Sequence, residues 1–236
     1  MSEVDEAWPA RVSAVAALDE PTRRRLYEFV VRQPAPVSRD QAADAVQAPR
    51  NTVSFHLDKL VAEGLLEAVY ERRTGRTGPG AGRPAKLYRR ALGQITISLP
   101  DRRYETAAHL LADALQEAQT SGEPPRDVLD RRARELGREL GREARPADPA
   151  PDPRAAVVPA LEALGFEPRA EGDSITLVNC PFHNLARQHT ELVCGMNLCL
   201  LTGLLEGLAA TGVTARLEPA PEHCCVRLHP TGQTSC

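Results

Sequence analysis

The chain has 236 residues, of which 42% are hydrophobic, so it is long enough for two domains that each bury a core. Its formal net charge is only -3, which excludes a basic footprint over the whole molecule, so a nucleic-acid surface would have to come from local clustering of charge. The N-terminus is acidic, and no stretch of about 18 uninterrupted apolar residues occurs, so we expect a cytoplasmic protein without a signal peptide or a membrane span.

The first predicted domain, residues 10–92, begins with helices. The stretch LDEPTRRRLYEFVVRQ offers Asp19 as a helix cap and Pro21 in the first turn. Ser38 is placed to cap a second helix, and a third helix, RNTVSFHLDKLVAEGLL, ends at Gly64. The apolar face of the third helix is formed by residues at steps of four and three, namely Val53, Leu57 and Leu60.

Polar residues on the third helix and a basic hairpin after it predict a surface for DNA. An apolar strand from Leu65 to Tyr70 runs into a glycine-rich loop and returns at the basic end KLYRR, which indicates a wing. The helix side chains with the reach for base edges and phosphates are Arg50, Asn51, Thr52, Ser54 and His56. The basic residues of the hairpin are Arg72, Arg73, Arg76, Arg83, Lys86, Arg89 and Arg90. This order favours a winged helix-turn-helix that binds DNA, against a solvated charged face or a protein-binding module.

A family resemblance lies in the third helix. The stretch APRNTVSFHLDKLVAEGLLEA follows the order S-x-HL-x-x-L-x-x-x-GL, and over residues 10–90 the chain resembles the ArsR-type winged-helix repressors. The resemblance implies the winged-helix fold and binding to a double-stranded DNA operator. Many of those proteins carry a cysteine pair near the recognition helix, and this chain has no cysteine there, so that metal site is not predicted.

Residues 101–144 are predicted to form two helices of a dimerisation segment. Each has an apolar stripe at coiled-coil spacing, which favours a homodimer on a pseudo-palindrome, with packing inside the chain as an equal alternative. The stripes are Tyr104, Ala108, Leu111 and Leu115 in the first helix, and Leu129, Ala133, Leu136 and Leu140 in the second. The proline-rich run RPADPAPDP then marks a domain boundary.

The last predicted domain, residues 154–230, is a small α+β unit that contains all the cysteines except Cys236. The candidate metal ligands are Cys180, Cys194, Cys224 and Cys225. They form no CxxC motif, so the fold would have to bring them together. Because side chains alternate along a strand, we expect only one of the two adjacent cysteines to face the others, with His183, His189 or His223 as the fourth ligand. Soft thiolate ligands favour an iron-sulfur cluster or a zinc ion. The alternative is that these cysteines bind no metal and are buried as small apolar residues.

The cysteine domain also resembles a family. With NCPF at 179–182, ELVC at 191–194 and a cysteine in the final strand, it resembles the SufR-type regulators. That resemblance implies an iron-sulfur cluster, of the 4Fe–4S type in preference to 2Fe–2S, held by Cys180, Cys194 and one of Cys224 and Cys225.

The predicted architecture is therefore α+β: a winged helix-turn-helix, a helical dimerisation middle and a small cysteine domain. The predicted function is a cytoplasmic, dimeric repressor that senses redox state, nitric oxide or iron supply. One alternative is a repressor with structural zinc or a small ligand in place of the cluster. The other is a thiol redox enzyme with Cys224 and Cys225 as the redox pair and His183 as the base.

Overall fold

The computed structural model describes residues 3–71, 84–147, 152, 154–220 and 223–232, with the backbone alone for residues 3–7. The chain forms two compact units, Met1–Ile97 and Ser98–Cys236. Each unit has its own hydrophobic core.

The described part of the first unit combines four helices with a three-stranded antiparallel sheet of order β1–β3–β2. The elements are α1 (Glu3–Ala17), α2 (Pro21–Val31), β1 (Val37–Ser38), α3 (Arg39–Val46), α4 (Arg50–Ala62), β2 (Leu66–Glu71) and β3 (Ala85–Arg90). The predicted apolar face of α4 is confirmed, since Val53, Leu57 and Leu60 are fully buried. The helix-turn-helix is formed by α3 and α4, followed by the hairpin strands of the predicted wing.

Two helix caps fix where the first unit's helices begin. The cap of α2 is Glu20 and not the predicted Asp19, because the helix starts at Pro21. The Glu20 carboxylate accepts hydrogen bonds from the backbone N–H groups of Thr22 and Arg23, at 3.0 and 2.6 Å. The predicted Ser38 cap of α3 is confirmed, as part of a capping box with Gln41.

The described part of the second unit packs five helices with a four-stranded antiparallel sheet of order β4–β5–β7–β6. Its elements are α5 (Tyr104–Ser121), α6 (Pro125–Glu143), α7 (Arg154–Ala163), β4 (Pro168–Glu171), β5 (Ser174–Leu177), α8 (His183–Gln188), α9 (Thr190–Leu208), β6 (Val213–Leu217) and β7 (Val226–Pro230). Residues 101–144, predicted as a separate helical segment, thus share one compact unit with residues 154–230.

The buried face of α5 differs from the predicted stripe. It consists of Ala107, Leu110, Ala114 and Ala118. Leu111 of the predicted stripe packs against the unit's core, whereas Leu115 is 55% exposed, so dimerisation through the stripe stays a prediction.

Helix α6 meets α9 through glycines on both helices. A Cβ atom added to Gly137 would lie 2.0 Å from the carbonyl oxygen of Leu200, and one added to Gly207 would lie 2.3 Å from that of Arg138. The two backbones are therefore in direct contact. Glu206 of α9 reinforces this packing, accepting hydrogen bonds from the Arg134 and Arg138 guanidinium groups.

Among the described helices, α9 alone could cross a membrane by length and composition, and 61% of its apolar window is buried inside the fold. Its contacts with α6 and the sheet are those of a core helix.

Candidate DNA-binding helix and thiol site

Helix α4, which we call the recognition helix, projects polar side chains into solvent from its first turn. Arg50, Asn51 and Thr52 are all exposed, whereas the buried face of the helix points into the unit's core. The side chain of Arg50 also pairs with Asp40 of α3, with 3.2 Å between Nε and Oδ1. In a helix-turn-helix, the N-terminal residues of the second helix contact base edges in the major groove, so these three side chains have the placement that the sequence predicted.

Two other predicted contacts lie further round the recognition helix. Ser54 is partly buried, and the His56 side chain is only 12% exposed, with Nδ1 3.7 Å from Oε2 of Glu20. His56 therefore faces the start of α2, and direct base contact by these two residues stays a prediction. The exposed residue between them, Phe55, was missed, although it lies one turn after Asn51 and the helical period alone places it on the outer face.

Only part of the predicted basic wing can be located. Lys86 of β3 is paired with Asp58 of the recognition helix, 2.6 Å between Nζ and Oδ1, and this hydrogen bond raises the pKa of Lys86. Tyr88 also donates to Asp58, at 3.0 Å, so α4 and the hairpin are held together. Arg89 and Arg90 of β3 are exposed, and Arg89 pairs with Glu67 of β2. The remaining predicted wing residues, Arg72, Arg73, Arg76 and Arg83, lie outside the described residues.

The second unit brings four thiols together from three separate segments. Cys180 follows β5, Cys194 lies in the first turns of α9, and the Cys224–Cys225 pair directly precedes β7. Because β5 and β7 are antiparallel neighbours, the end of one lies beside the start of the other, and the backbone N–H of Cys224 donates to the carbonyl of Leu177 at 2.8 Å.

The thiols form two hydrogen-bonded pairs. Cys224 is paired with Cys180, and Cys194 is paired with Cys225. Whether one or both of the adjacent cysteines would act as ligands stays a prediction. Strand alternation does not apply to Cys224 and Cys225, because both precede the first residue of β7.

The Cys180 sulfur is favoured as a thiolate. The hydrogen bond from Cys224 lowers the pKa of Cys180 against the effect of burial, and the Phe182 backbone N–H and the Arg102 guanidinium add to this lowering. The same hydrogen bond, together with burial, raises the pKa of Cys224. Within this pair the shifts therefore favour a negative charge on Cys180 over one on Cys224.

The second pair contains a thiol whose ionisation is disfavoured. Burial raises the pKa of Cys194 to about 12, and the hydrogen bond to Cys225 and the charge of Cys180 act in the same direction. A charge on one pair thus opposes ionisation of the other, so the two pairs lie close enough to act as one electrostatic site.

Polar groups in the fold hold the thiol segments in place. Arg102 donates to the carbonyl of Cys180 at 2.9 Å, and Asn179 donates to the carbonyl of Gly165 at 2.7 Å. Asn197 of α9 is 1% exposed, and its Nδ2 donates to the Cys224 sulfur at 3.3 Å. Its Oδ1 has no hydrogen-bond partner among the described residues, so this buried amide is held chiefly by its contact with the thiol.

The donor set can be compared with what a metal centre needs. Among the described residues, no group of three or more His, Cys, Asp or Glu side chains is arranged to hold a metal ion. Four cysteines are nevertheless the complete ligand set of an iron-sulfur cluster or of a structural zinc ion. The chemistry of the residues therefore fits either group, while their sulfurs are arranged as two pairs.

The remaining candidates lie outside the two thiol pairs. His183 is exposed and, with Cys180 and His223, lines a pocket of about 210 Å³. Cys199 packs against the second unit's core, and Cys236 lies outside the described residues. His183 as a ligand stays a prediction.

A family model described as a helix-turn-helix domain matches residues 18–69, which include α2, α3, the recognition helix and part of β2. No curated protein and no solved structure matches the chain. The matched segment is thus a helix-turn-helix domain of the type found in transcription regulators.

Proposed function

We propose that this protein is a transcriptional repressor that binds a double-stranded DNA operator as a cytoplasmic homodimer and senses redox or iron-sulfur status through its second unit. The observation that carries the sensor half is the meeting of Cys180, Cys194, Cys224 and Cys225 from three distant segments. Cysteines that serve only as small apolar residues can also meet in a core, so metal analysis is needed to separate the two roles.

The DNA half rests on the helix-turn-helix domain at residues 18–69 and on the exposed first turn of the recognition helix. Arg50, Asn51 and Thr52 would contact base edges, and the basic wing would contact phosphates. A second copy of the chain would double the contacts and match a pseudo-palindromic operator. A helix-turn-helix favours a regulator over the thiol redox enzyme.

The sensor half follows from the chemistry of thiolates. Four cysteines suit a 4Fe–4S cluster, whose reactivity towards oxidants would supply the signal. The two S–H···S hydrogen bonds would be exchanged for bonds to iron, and the buried Asn197 amide would remain beside the Cys224 sulfur. A zinc ion in the same ligand set would give a structural site without redox chemistry.

Helix α9 offers a route from the thiols to the rest of the unit. Cys194 lies near its start, and Gly203 and Gly207 contact the backbone of α6 further along. A change at the thiols that moved α9 would therefore have to move α6 or break that packing, and we infer that this is how cluster loss alters DNA binding.

The cofactor is tested by anaerobic purification, a visible absorption spectrum, and analysis of iron, sulfide and zinc. We expect a brown protein with iron and sulfide in comparable amounts. The variant with Ser at positions 180, 194, 224 and 225 should be colourless, whereas Cys199→Ser, which changes a thiol on the same helix outside the pairs, should keep the cluster. A colourless wild-type protein with stoichiometric zinc would refute the cluster and support the zinc site. A wild-type protein that contains neither iron nor zinc would refute both kinds of metal site.

The link to DNA is tested by comparing operator affinity before and after anaerobic removal of iron by a chelator. We expect the dissociation constant for the operator to change at least tenfold in wild type and not to change in the four-serine variant. Equal affinity of the two wild-type forms would refute the sensor, while absence of binding to any duplex would refute the regulator itself.

A further inference from the structure

A large apolar side chain projects into solvent from the recognition helix. Phe55 is 65% exposed, and among the exposed large hydrophobic residues of the described chain it is the one on α4. It lies four residues after Asn51, so both side chains share one face of the helix. The helix already buries Val53, Leu57 and Leu60 on its other face, so Phe55 contributes little to the core.

The Phe55 ring is supported from one side. It makes an edge-to-face contact with the His56 ring, with 5.4 Å between centroids and an angle of 65°. The His56 ring is largely buried, with Nδ1 3.7 Å from Oε2 of Glu20, so the surface on which the Phe55 ring rests belongs to the packed part of the unit. A fixed ring loses little conformational entropy on contact, which favours it as a recognition group.

The position along the helix matches the geometry of a groove. Phe55 lies five residues after Arg50, about 7.5 Å along the helix axis at about 1.5 Å per residue. That distance is close to two base-pair steps of about 3.4 Å. The residue therefore belongs to the part of the helix that would meet the bases, beyond the polar first turn.

The major groove offers one apolar group to such a ring, the C5-methyl of thymine. We propose that Phe55 is a specificity-determining residue that contacts a thymine methyl in each operator half-site. This inference rests on the proposed DNA binding, and it assigns the apolar part of the sequence preference to one side chain.

The test isolates the methyl group. Duplexes are selected from a random pool with the full-length wild-type protein, and each thymine of the selected site is replaced in turn by deoxyuridine, which lacks only that methyl. Dissociation constants are measured at fixed salt for wild type, Phe55→Ala and Phe55→Leu. At one thymine per half-site we expect wild type to lose roughly fourfold in affinity, the loss for one buried carbon. Phe55→Ala should lose nothing there, and Phe55→Leu should retain most of the discrimination.

Three outcomes would overturn the inference. One is that no thymine-to-deoxyuridine exchange weakens the wild-type complex. Another is that Phe55→Ala shows the same loss as wild type. The third is that Phe55→Ala weakens selected and random duplexes equally, which would indicate a contact without sequence preference. Failure of the wild-type protein to bind any duplex would instead overturn the proposed function, and an unchanged melting temperature of each variant excludes misfolding as the cause.

Discussion

The glycine contact between α6 and α9 can be tested by Gly203→Ala. The new Cβ would lie 2.1 Å from the carbonyl oxygen of Arg134 and 2.9 Å from its carbonyl carbon. Nonbonded carbon atoms prefer about 3.5–4.0 Å, so the helices would have to separate by about 1 Å. The clash is with backbone, which no rotamer change can relieve.

The magnitude is a balance of two terms. Alanine gains about 1 kcal/mol over glycine in a helix interior. Overpacking costs typically about 1–3 kcal/mol, and a contact with fixed backbone belongs at the upper end of that range. The separation would also loosen the packing of Leu200 and Leu204. We expect a net destabilisation of about 2 kcal/mol, which lowers the melting temperature of the second unit by roughly 5–10 °C.

The matched control is Gly195→Ala on the same helix. Its Cβ would meet the terminal nitrogen of Arg126 at 2.9 Å, and a flexible side chain can move away. We expect this variant to stay within about 1 kcal/mol of wild type, because the gain in helix propensity offsets the small rearrangement.

Thermal unfolding by circular dichroism measures the effect of both substitutions. The single tryptophan, Trp8, lies in the first unit, so its fluorescence reports that unit separately and should show no change. If Gly203→Ala melted at the wild-type temperature, or if both variants shifted alike, the argument for backbone contact between α6 and α9 would be refuted.

Three further predictions concern single side chains. The Arg134 and Arg138 guanidinium groups lower the pKa of Glu206 below 4.5, so the stability that its charge contributes is present above pH 4.5 and is lost as pH falls through the lowered pKa. Glu206→Gln should therefore be less stable than wild type by under about 1 kcal/mol at pH 7. Urea titrations should show this difference in unfolding free energy disappearing in acid. Glu20→Ala removes both cap hydrogen bonds of α2 and should cost the first unit about 0.5–2 kcal/mol in urea unfolding, and an unchanged midpoint would contradict the cap assignment. Asn51→Ala should weaken operator binding by about 1–3 kcal/mol in a titration at fixed salt without changing the melting temperature, and equal weakening on random DNA would argue against a base contact.

Helical periodicity predicted the first unit well because its helices each bury one apolar stripe. The period placed Val53, Leu57 and Leu60 in the core and left the polar first turn of α4 exposed. Strand β1 was not predicted, since it has two residues and is defined only by pairing with β3. A strand of two residues is too short to show an alternation of apolar and polar residues in the sequence.

The sequence identified the candidate thiols and left their pairing open. Cys180, Cys194 and the adjacent cysteines are candidates because each lies where a predicted element begins or ends. Both Cys224 and Cys225 precede the first residue of β7, so strand alternation does not decide which thiol meets which. The backbone hydrogen bond from Cys224 to Leu177 places this segment beside the end of β5, and it is a long-range contact that the sequence does not reveal.

The second unit shows what counting apolar residues left out between α6 and α9. The stripe of α6 was compatible with a partner or with packing inside the chain, and Leu136 and Leu140 pack against the unit's own core. The closest approach is made by Gly137 and Gly141, which hydropathy counts as neutral. The informative signal was the spacing of four between glycines on both helices, repeated at Gly203 and Gly207. Such glycines matter for the proposed function because helices in backbone contact cannot move independently. A shift at Cys194, in the same continuous helix as those glycines, must therefore be taken up by α6 or by loss of the packing itself, so the stability of Gly203→Ala and its response to iron removal probe the same contact.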